Sequence, residues 1–309
     1  MADDALVITG PTASGKTAVA IEVARRLLGE IISMDSRQVY RRMDIGTAKP
    51  PRNERRGVPH HGFDLIDPDE RFNAGRFAVL ARGWLDDVRA RAKVPVLAGG
   101  TGFFLRALTH PMFDEPDLDP SRKESWKRYL GRLPLEELRR WSRALDPDAA
   151  ERTQDRQRLS RIVEVAVLTG RRLHWWQRNA PASAPAIDPR VFVLDLPRDD
   201  LYRRIEVRVD QMIAQGLVEE VRDLMRLGYD DGAPGMKATG YVELVPHVRG
   251  ERSLDEAVSM IKAATRRYAR RQTTWLRHQL PPGAVWLDAR APADELADRI
   301  VSTWSQENS

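Results

Sequence analysis

One glycine-rich loop constrains the fold of this chain more than any other part of its sequence. The run Ala5–Thr9 is apolar and predicts a short buried strand, and Lys16–Leu28 predicts the helix that follows it. The residues between them fit the pattern G-x-x-x-x-G-K-[ST], which is typical of a loop that binds phosphate. The glycines let the backbone turn tightly, so that several N–H groups point at phosphate oxygens beside the positive end of the helix. We therefore predict a phosphate-binding loop made of Gly10, Pro11, Thr12, Ala13, Ser14, Gly15, Lys16 and Thr17.

The loop predicts the chemistry of its ligand and leaves the ligand's identity open. The Lys16 ammonium would neutralise phosphate charge, and the Thr17 hydroxyl would reach a bound Mg²⁺ ion. Three kinds of ligand fit these groups: a nucleotide that is hydrolysed, a nucleotide that donates a phosphoryl group, and another compound that carries a diphosphate.

Strands and helices alternate along most of the chain, which predicts an α/β fold. After the first strand, further strands are predicted at Glu30–Met34 and within the segments VPVLAGG, VFVLDL and AVWLD. Helices are predicted at about 74–93, 103–108, 200–215 and 217–227, after a capping box formed by Ser253 and Glu256, and at the end of the chain. This order is typical of a P-loop NTPase-like parallel sheet with helices on both faces.

Three polar segments follow the ends of predicted strands. They are the phosphate loop, Asp35 and Gly99–Gly102. Because ligands of parallel sheets collect at the carboxyl ends of the strands, we expect these segments to meet at one site.

The segment from 113 to 184 differs from the rest, because its pattern is helical throughout and predicts no strand. We therefore predict an inserted helical domain at 113–184 within an α/β core formed by residues 1–112 and 185–309. The Pro/Ala-rich stretch Asn179–Pro189 is interpreted as the linker that leads back to the core.

The composition excludes several classes of site and of location. The chain has no cysteine, which excludes disulfides, zinc–thiolate sites and thiol nucleophiles. No signal-peptide pattern is present, and no stretch approaches the roughly 18 apolar residues of a membrane span. We therefore expect a cytoplasmic protein that has no membrane partner.

Positive charge collects near the C-terminal end of the chain. The net charge is +5, and the stretch KAATRRYARRQTTWLRH contains no acidic residue among its basic ones, which are Lys262, Arg266, Arg267, Arg270, Arg271, Arg277 and, when protonated, His278. A basic helix that also carries aromatic residues favours contact with RNA phosphates over a merely solvated face.

Asp35 ends the second predicted strand, and two roles remain open for it. As a Walker-B aspartate it would hold Mg²⁺ in an NTPase, a role that Asp195 after VFVL fits as well. As a general base beside the phosphates it would accept a proton from a nucleophile. Gln38 follows shortly after, and its amide suits paired hydrogen bonds with an adenine edge. A base, an adenine reader and a phosphate loop together suggest an adenine amine that attacks a compound carrying a diphosphate.

Several motifs in a fixed order resemble those of one enzyme family. They are GPTASGKT, DSRQVYRRMDIGTAKP, PHHGFDLIDPDERFNAGRF, GGTGFF, QRLSRIVEV, RVDQMIAQGLVEEV, KATGYVEL and TRRYARRQTTWLRHQ. In this order they are similar to the motifs of the bacterial tRNA dimethylallyltransferases, and the similarity runs from about Leu6 to Gln279. The resemblance implies a transferase that moves a dimethylallyl group from dimethylallyl diphosphate to N6 of adenine 37, beside the tRNA anticodon, and releases diphosphate. It also implies a P-loop-type core with a helical insertion and a requirement for Mg²⁺.

The resemblance also assigns roles to individual residues. Gly10–Thr17 would hold the diphosphate, Thr17 would bind the Mg²⁺, and Asp35 would accept the N6 proton. Lys16, Thr17 and Thr101 would complete the catalytic set. Lys123 is assigned to the tRNA contacts by position, since no motif supports it. The implied tRNA contacts are Asp35, Ser36, Arg37, Gln38, Thr101, Lys123, Gln157, Arg158, Leu159, Ser160, Arg161, Lys237, Gly240, Tyr241, Arg270, Arg271, Gln272, Trp275 and Arg277.

Two other functions are compatible with parts of the sequence. An adenylate isopentenyltransferase would perform the same chemistry on free AMP, ADP or ATP, but it would need neither the helical insertion nor the basic helix. A P-loop kinase or NTPase would turn over nucleotide without a prenyl donor. The resemblance favours as partners dimethylallyl diphosphate and a tRNA whose anticodon stem-loop carries A36-A37-A38, and we expect a monomer.

Overall fold

Parallel strands form the centre of the fold, as the alternation of strands and helices predicted. The computed structural model describes residues 5–110, 118–179, 186–281 and 283–307. Within these residues the strands are β1 (Ala5–Thr9), β2 (Glu30–Ser33), β3 (His60–His61), β4 (Pro95–Ala98), β5 (Pro189–Asp195) and β6 (Val285–Asp288). They form one sheet in the order β3–β2–β4–β1–β5–β6, and every neighbouring pair is parallel. All six therefore present their carboxyl ends at the same edge of the sheet.

Helices cover both faces of this sheet. Their bounds are α1 (Lys16–Arg26), α2 (Ala74–Ala90), α3 (Gly102–Thr109), α9 (Arg198–Ala214), α10 (Leu217–Arg226), α11 (Tyr241–Val248), α12 (Leu254–Gln279) and α13 (Ala293–Glu307). Successive β1 side chains alternate between two buried cores, because side chains of a strand point to opposite faces. Leu6 and Ile8 belong to one core, with α1 and α9 to α13, whereas Val7 belongs to the other, with α2 and α3. The predicted α/β fold class is thus confirmed.

The chain divides into two compact units. One contains the described residues up to Thr109 together with those from Ile187 onwards, and the other contains the described residues between 110 and 186. The second unit is helical, with α4 (Pro120–Arg132), α5 (Leu135–Leu145), α6 (Pro147–Glu151), α7 (Arg156–Thr169) and α8 (Leu173–Asn179). The predicted domain boundaries at 112/113 and 184/185 lie outside the described residues.

The helical unit has a small core of its own. Leu130, Leu138, Leu159 and Ile162 pack together in it. Asp146, which is fully buried, begins α6 by accepting the N–H of Ala149 at 3.2 Å.

Local signals explain most element boundaries. The predicted capping box opens α12: the Ser253 hydroxyl accepts the N–H of Glu256 at 3.3 Å, and the Glu256 carboxylate accepts the N–H of Ser253 at 3.2 Å. The helix α1 ends at Arg26, earlier than predicted, because Leu28 has φ 50° in the left-handed region.

Three short elements were not predicted. They are β3, which pairs with β2 through His60 and His61 only, a 3₁₀ turn at Gly235–Lys237, and α11, which contains Pro246. Each is too short, or too interrupted, to produce a hydrophobic period. Within the described residues, no helix has the length and apolar character needed to cross a membrane.

Candidate active site

The phosphate loop connects β1 to α1, and its two terminal glycines are required by its shape. Gly10 has φ 154°, and a Cβ atom there would lie 2.5 Å from the carbonyl oxygen of Leu194. Gly15 has φ 90°, in the left-handed region, and caps the N-terminus of α1. The Ser14 hydroxyl is buried, and it has no hydrogen-bond partner in the part of the chain that the structure describes. A buried polar group without a partner is costly, so this loop is built for a ligand that carries hydrogen-bonding atoms.

Lys16 folds back over the loop. Its Nζ donates a hydrogen bond to the carbonyl oxygen of Pro11 at 2.7 Å. Burial is the main factor that lowers the pKa of Lys16 to about 7, the charge of Arg208 lowers it further, and Asp35 acts in the opposite direction. An anion bound in the loop would favour the charged ammonium and raise this pKa.

A second cation reaches the loop from α9. Arg208 is half-buried, and its Nη1 donates to the Thr12 hydroxyl at 3.2 Å. Burial lowers the pKa of Arg208, and the nearby Asp35 partly offsets this effect. We call Gly10–Thr17 together with the Arg208 side chain the phosphate cradle.

Asp35 lies at the end of β2, beside the cradle. Its Oδ1 accepts the N–H of Arg37 at 2.8 Å, which orients the carboxylate. The Thr101 hydroxyl, from the loop after β4, accepts the N–H of Ser36 at 3.1 Å. The β4 loop therefore holds the residues that follow β2 in place.

One cavity joins these loops. It has a volume of about 1130 Å³ and lies within the larger unit. Its walls include the cradle residues Lys16 and Arg208, the Asp35 carboxylate, and Tyr268 from α12. Burial, with a smaller contribution from the charge of Asp35, raises the pKa of Tyr268 to about 12, so the phenol stays protonated. Cationic groups for an anion and a carboxylate for a proton thus face the same space.

The donor atoms around the cradle fit a magnesium ion that arrives with phosphate oxygens. Among the described residues, no group of three or more His, Asp or Glu side chains could hold a metal alone. Mg²⁺ commonly keeps several waters and binds through one or two protein groups plus the oxygens of a substrate phosphate. The exposed Thr17 hydroxyl and the Asp35 carboxylate line the cavity and can supply those protein groups. The alternative aspartate, Asp195, is not among the residues that line the cavity, and its carboxylate lies 3.8 Å from Arg277.

Comparison with known proteins identifies the family. A family model described as "IPP transferase" matches residues 38–279, and one described as "Isopentenyl transferase" matches residues 4–60. A protein of Geobacter metallireducens named tRNA dimethylallyltransferase is 42% identical over 298 residues, which cover 96% of each chain. The chain belongs to the tRNA dimethylallyltransferase family. The resemblance stated from the sequence motifs is thereby confirmed.

Solved structures of this family share the fold. A tRNA delta(2)-isopentenylpyrophosphate transferase of Staphylococcus epidermidis superposes with a TM-score of 0.70 at 34% identity, over 97% of this chain and 98% of that one. A eukaryotic dimethylallyltransferase acting on tRNA superposes with a TM-score of 0.80 at 27% identity, over 92% of this chain and 73% of that one. Tertiary structure and sequence therefore agree on the family.

The expected tRNA contacts on α12 of this dimethylallyltransferase-family chain fall into two groups. Arg270, Arg271 and Arg277 are exposed. Gln272 is buried, and Trp275 is half-buried and packs so closely on Gly102 that a Cβ atom there would lie 2.4 Å from its ring. Only the first group is presented to a partner that approaches from solvent.

The charge of the basic helix is also smaller than its own sequence indicates. Lys262 lies 2.7 Å from Asp210, and Arg266 lies 2.6 Å from Glu206, both of which belong to α9. The expectation of an unbalanced helix was therefore wrong for these two positions, because the neighbouring helix supplies the acids.

Residues 237–241 show the same division between exposed and buried positions. Lys237 is exposed, whereas Gly240, with φ 100°, and Tyr241 are buried. The Tyr241 hydroxyl donates to Glu220 at 2.6 Å, and a Cβ atom at Gly46 would lie 2.4 Å from the Tyr241 ring. The structure thus gives Tyr241 a place in the core, and contact with RNA would require it to leave that place.

The amide of Gln38 is engaged by the protein itself. Its Nε2 donates to the carbonyl oxygens of Thr47 at 3.1 Å and Ala48 at 3.2 Å, and its Oε1 accepts from the Ser33 hydroxyl at 2.8 Å. Both amide protons are therefore used, so the expected paired reading of an adenine edge is incompatible with this arrangement.

The expected RNA contacts of the helical unit are mostly accessible. Gln157 and Arg158 are exposed at the start of α7, whereas Leu159 is 1% exposed and packs in the core of the unit. The burial of Leu159 argues against direct RNA contact by its side chain. The half-buried members of the expected set are Lys123, Ser160 and Arg161.

Sequence reasoning missed two residues that build the site. Arg208 lies in the motif RVDQMIAQGLVEEV, to which no cradle role was assigned. Glu220 accepts the N–H groups of Asp44, Ile45 and Gly46 at 2.8–3.1 Å and so anchors the turn that holds Gln38. The only signal for either was membership in a recognised motif.

Proposed function

We propose that this chain transfers a dimethylallyl group from dimethylallyl diphosphate to N6 of adenine 37 in tRNA, with Mg²⁺ as cofactor. The proposal includes an anticodon stem-loop with A36-A37-A38 as the recognised region. The proposal also takes the monomer as the active form.

The observation that carries the proposal is the position of Asp35 relative to the cradle. Lys16 and Arg208 provide positive charge on the wall of a cavity whose wall also includes the Asp35 carboxylate. A prenyl transfer needs charge at a departing diphosphate and, separately, an acceptor for the proton of the nucleophile.

The atoms balance in the following way. The bond between N6 and the allylic carbon forms while the bond between that carbon and the diphosphate oxygen breaks, and its electron pair stays on the diphosphate. The cradle N–H groups, Lys16 and Arg208 stabilise that negative charge. Asp35 accepts the proton that N6 loses. A Mg²⁺ ion would supply further positive charge to the diphosphate when bound.

The cavity must also keep water from competing with N6.

Removing a base from its stack costs a few kcal/mol, which contacts inside the site have to offset. Tyr268 on the wall offers a ring and a protonated hydroxyl for such contacts.

The closest rival is prenyl transfer to a free adenine nucleotide. The helical unit and the exposed arginines of α12 favour RNA, because a mononucleotide would leave them without a role. In support, the model described as "IPP transferase" matches most of the chain, whereas the one described as "Isopentenyl transferase" matches only its first part.

A direct transfer assay tests the proposal. The protein is mixed with Mg²⁺, labelled dimethylallyl diphosphate, AMP and an anticodon stem-loop that carries A36-A37-A38, with a matched stem-loop that carries G37 as control. We expect label in the first RNA and none in the second. Label in AMP but not in RNA would establish the rival transferase, and release of diphosphate without labelled product would refute both.

A further inference from the structure

A single buried side chain joins the phosphate cradle to the loop after β4. Gln272, on α12, is 8% exposed. Its Oε1 accepts the N–H of Thr12 at 2.8 Å, and its Nε2 donates to the carbonyl oxygen of Gly100 at 2.9 Å. One amide therefore satisfies a donor of the cradle and an acceptor of the neighbouring loop at the same time.

The atoms around this amide are tightly packed. A Cβ atom at Gly100 would lie 2.4 Å from the Gln272 Nε2 and 3.1 Å from the carbonyl oxygen of Gly10. The Gly99 N–H donates to the carbonyl oxygen of Ile8 at 3.2 Å, so the start of the β4 loop also bonds the strand that precedes the cradle. The glycine at position 100 thus permits the approach that the amide bridges.

The same face of α12 contacts the rest of the site. Tyr268, one turn before Gln272, lines the cavity and interacts with the Thr101 hydroxyl. Trp275, almost one turn after, packs on Gly102. The opposite face carries Arg270 and Arg277, which are exposed. Gln272 therefore lies on the side of the helix that is turned away from solvent.

We propose that Gln272 is a positioning residue for the transfer step: it fixes the cradle relative to the loop that holds Thr101 and, through Ser36, to Asp35. This inference rests on the proposed function. Gln272 also lines the cavity, but it is buried and both ends of its amide bond the protein, so its role here is to set the distance between donor and nucleophile. A misplacement of about 1 Å between reacting groups is enough to cost about 100-fold in rate.

The first test separates positioning from RNA contact. Gln272→Met keeps the length of the side chain and removes both hydrogen bonds. We expect the single-turnover rate at saturating RNA to fall about 10- to 100-fold. The dissociation constant for the RNA should stay within about twofold of wild type, as for a substitution away from the RNA surface. Gln279→Met is the matched control, since Gln279 is exposed near the end of the same helix and bonds only Arg106 in the described structure.

The second test asks whether restoring the hydrogen bonds restores the rate, a result that a role in packing alone would not produce. In Gln272→Glu, the ionised carboxylate can accept from Thr12 but cannot donate to Gly100. When protonated, the introduced carboxyl group can do both, and burial raises its pKa. The rate of this variant relative to wild type should therefore rise at least about threefold as the pH falls from about 8 to about 6.

Charged groups near this position affect the same ratio. Those that line the cavity around it are Lys16, Asp35 and Arg208, together with the phenol of Tyr268. Dividing by the wild-type rate at each pH removes the titration that these groups have in wild type. Within the variant, the cations lower the pKa of the introduced carboxyl group, whereas Asp35 and burial raise it.

The outcomes are distinct. A Gln272→Met rate within twofold of wild type at saturating RNA, or a large rise in its RNA dissociation constant alone, would overturn the inference. If Gln272→Met does not fold, a pH-independent rate ratio for Gln272→Glu overturns it instead. If the wild type itself transfers no label to RNA, the proposed function fails. The wild-type reaction therefore distinguishes failure of the proposed function from failure of this inference.

Discussion

The phosphate cradle and the exposed face of α12 use positive charge in different ways. In the cradle, Lys16 and Arg208 are partly withdrawn from water, and each donates to an oxygen of the loop. On α12, Arg270 and Arg271 are exposed, and Arg271 packs over the Tyr268 ring at 5.7 Å. The cradle holds its charge in a fixed position, whereas the helix offers its charge to a partner from solvent.

This difference predicts which substitutions change the rate of transfer and which change the affinity for RNA. Fixed charges that face a reacting bond stabilise the transition state and change the rate. Exposed arginines that meet phosphates change affinity and its dependence on salt. Substitutions in the two regions should therefore have different kinetic signatures, and their expected effects differ in size.

The largest effect is expected at Asp35. Asp35→Asn removes the proton acceptor and should lower the single-turnover rate about 10²- to 10⁴-fold, with little change in the affinity for inorganic pyrophosphate measured without Mg²⁺. Rapid-quench measurement with labelled donor gives the rate. Asp195→Asn is the matched control, because Asp195 also ends a strand of the sheet but is not among the cavity-lining residues. A larger loss in the control than in Asp35→Asn would assign the essential carboxylate to Asp195.

The next effect is expected at Arg208. Arg208→Met removes one stabilising donor from the diphosphate and should lower the turnover number about 10²- to 10³-fold. Steady-state kinetics at saturating RNA and donor measures it. Arg203→Met, on the exposed side of the same helix and paired with Asp200, is the control and should be near wild type. Equal losses in both variants would show that any substitution on α9 disturbs the structure, and would contradict a specific role of Arg208.

A smaller effect concerns pH. Because the pKa of Lys16 is lowered to about 7, a diphosphate that binds there recovers the ammonium and takes up a proton. The contribution of Lys16 to affinity is present below that pH and should decline by up to about tenfold per pH unit as the pH rises above it.

Calorimetry checks this contribution. Inorganic pyrophosphate is titrated in two buffers of different ionisation enthalpy, with Lys16→Met as the matched variant. The extra proton uptake of the wild type is the expected result. Equal uptake by the two proteins would contradict a titrating Lys16.

The smallest effect is expected on the exposed helix face. Arg270→Ala should weaken RNA binding a few-fold and reduce the slope of log affinity against log salt by about 1, as for the loss of one phosphate contact. Lys262→Ala is the control, because Lys262 already pairs with Asp210 on α9. Filter binding over a range of salt concentrations measures both slopes, and identical slopes for the two variants would remove the proposed distinction between the residues.

Much of the site follows from contiguous sequence, and the rest depends on tertiary contacts. The strand, loop and helix around Lys16 could be predicted because glycine, lysine and apolar residues occur at fixed spacings. Gln272 and Arg208 meet Thr12 from 260 and 196 positions away, and no local pattern reports such contacts. Sequence reasoning therefore predicted the loop, missed Arg208, and assigned Gln272 to RNA contact and not to the cradle.

The sequence also did not reveal which of the expected RNA contacts are buried. Tyr241 stands in a motif that the family resemblance linked to RNA, yet it lies in the core and donates to Glu220. The acids that pair with Lys262 and Arg266 belong to another helix, so inspection of α12 alone overestimated its free charge. A motif identifies which positions matter in a family, and packing decides whether a side chain acts on the ligand or on the scaffold.

The contact at Gly99 limits which substitutions such a site can accept during evolution. A Cβ atom there would lie 2.2 Å from the carbonyl oxygen of Met34, so the backbones of the β2 and β4 loops leave no space for a side chain. Variation that alters the choice of donor or base therefore has to come from other residues of the cavity wall, among them side chains projected by α9 and α12. Those helices are where an engineer seeking a longer or bulkier isoprenoid would have room to work.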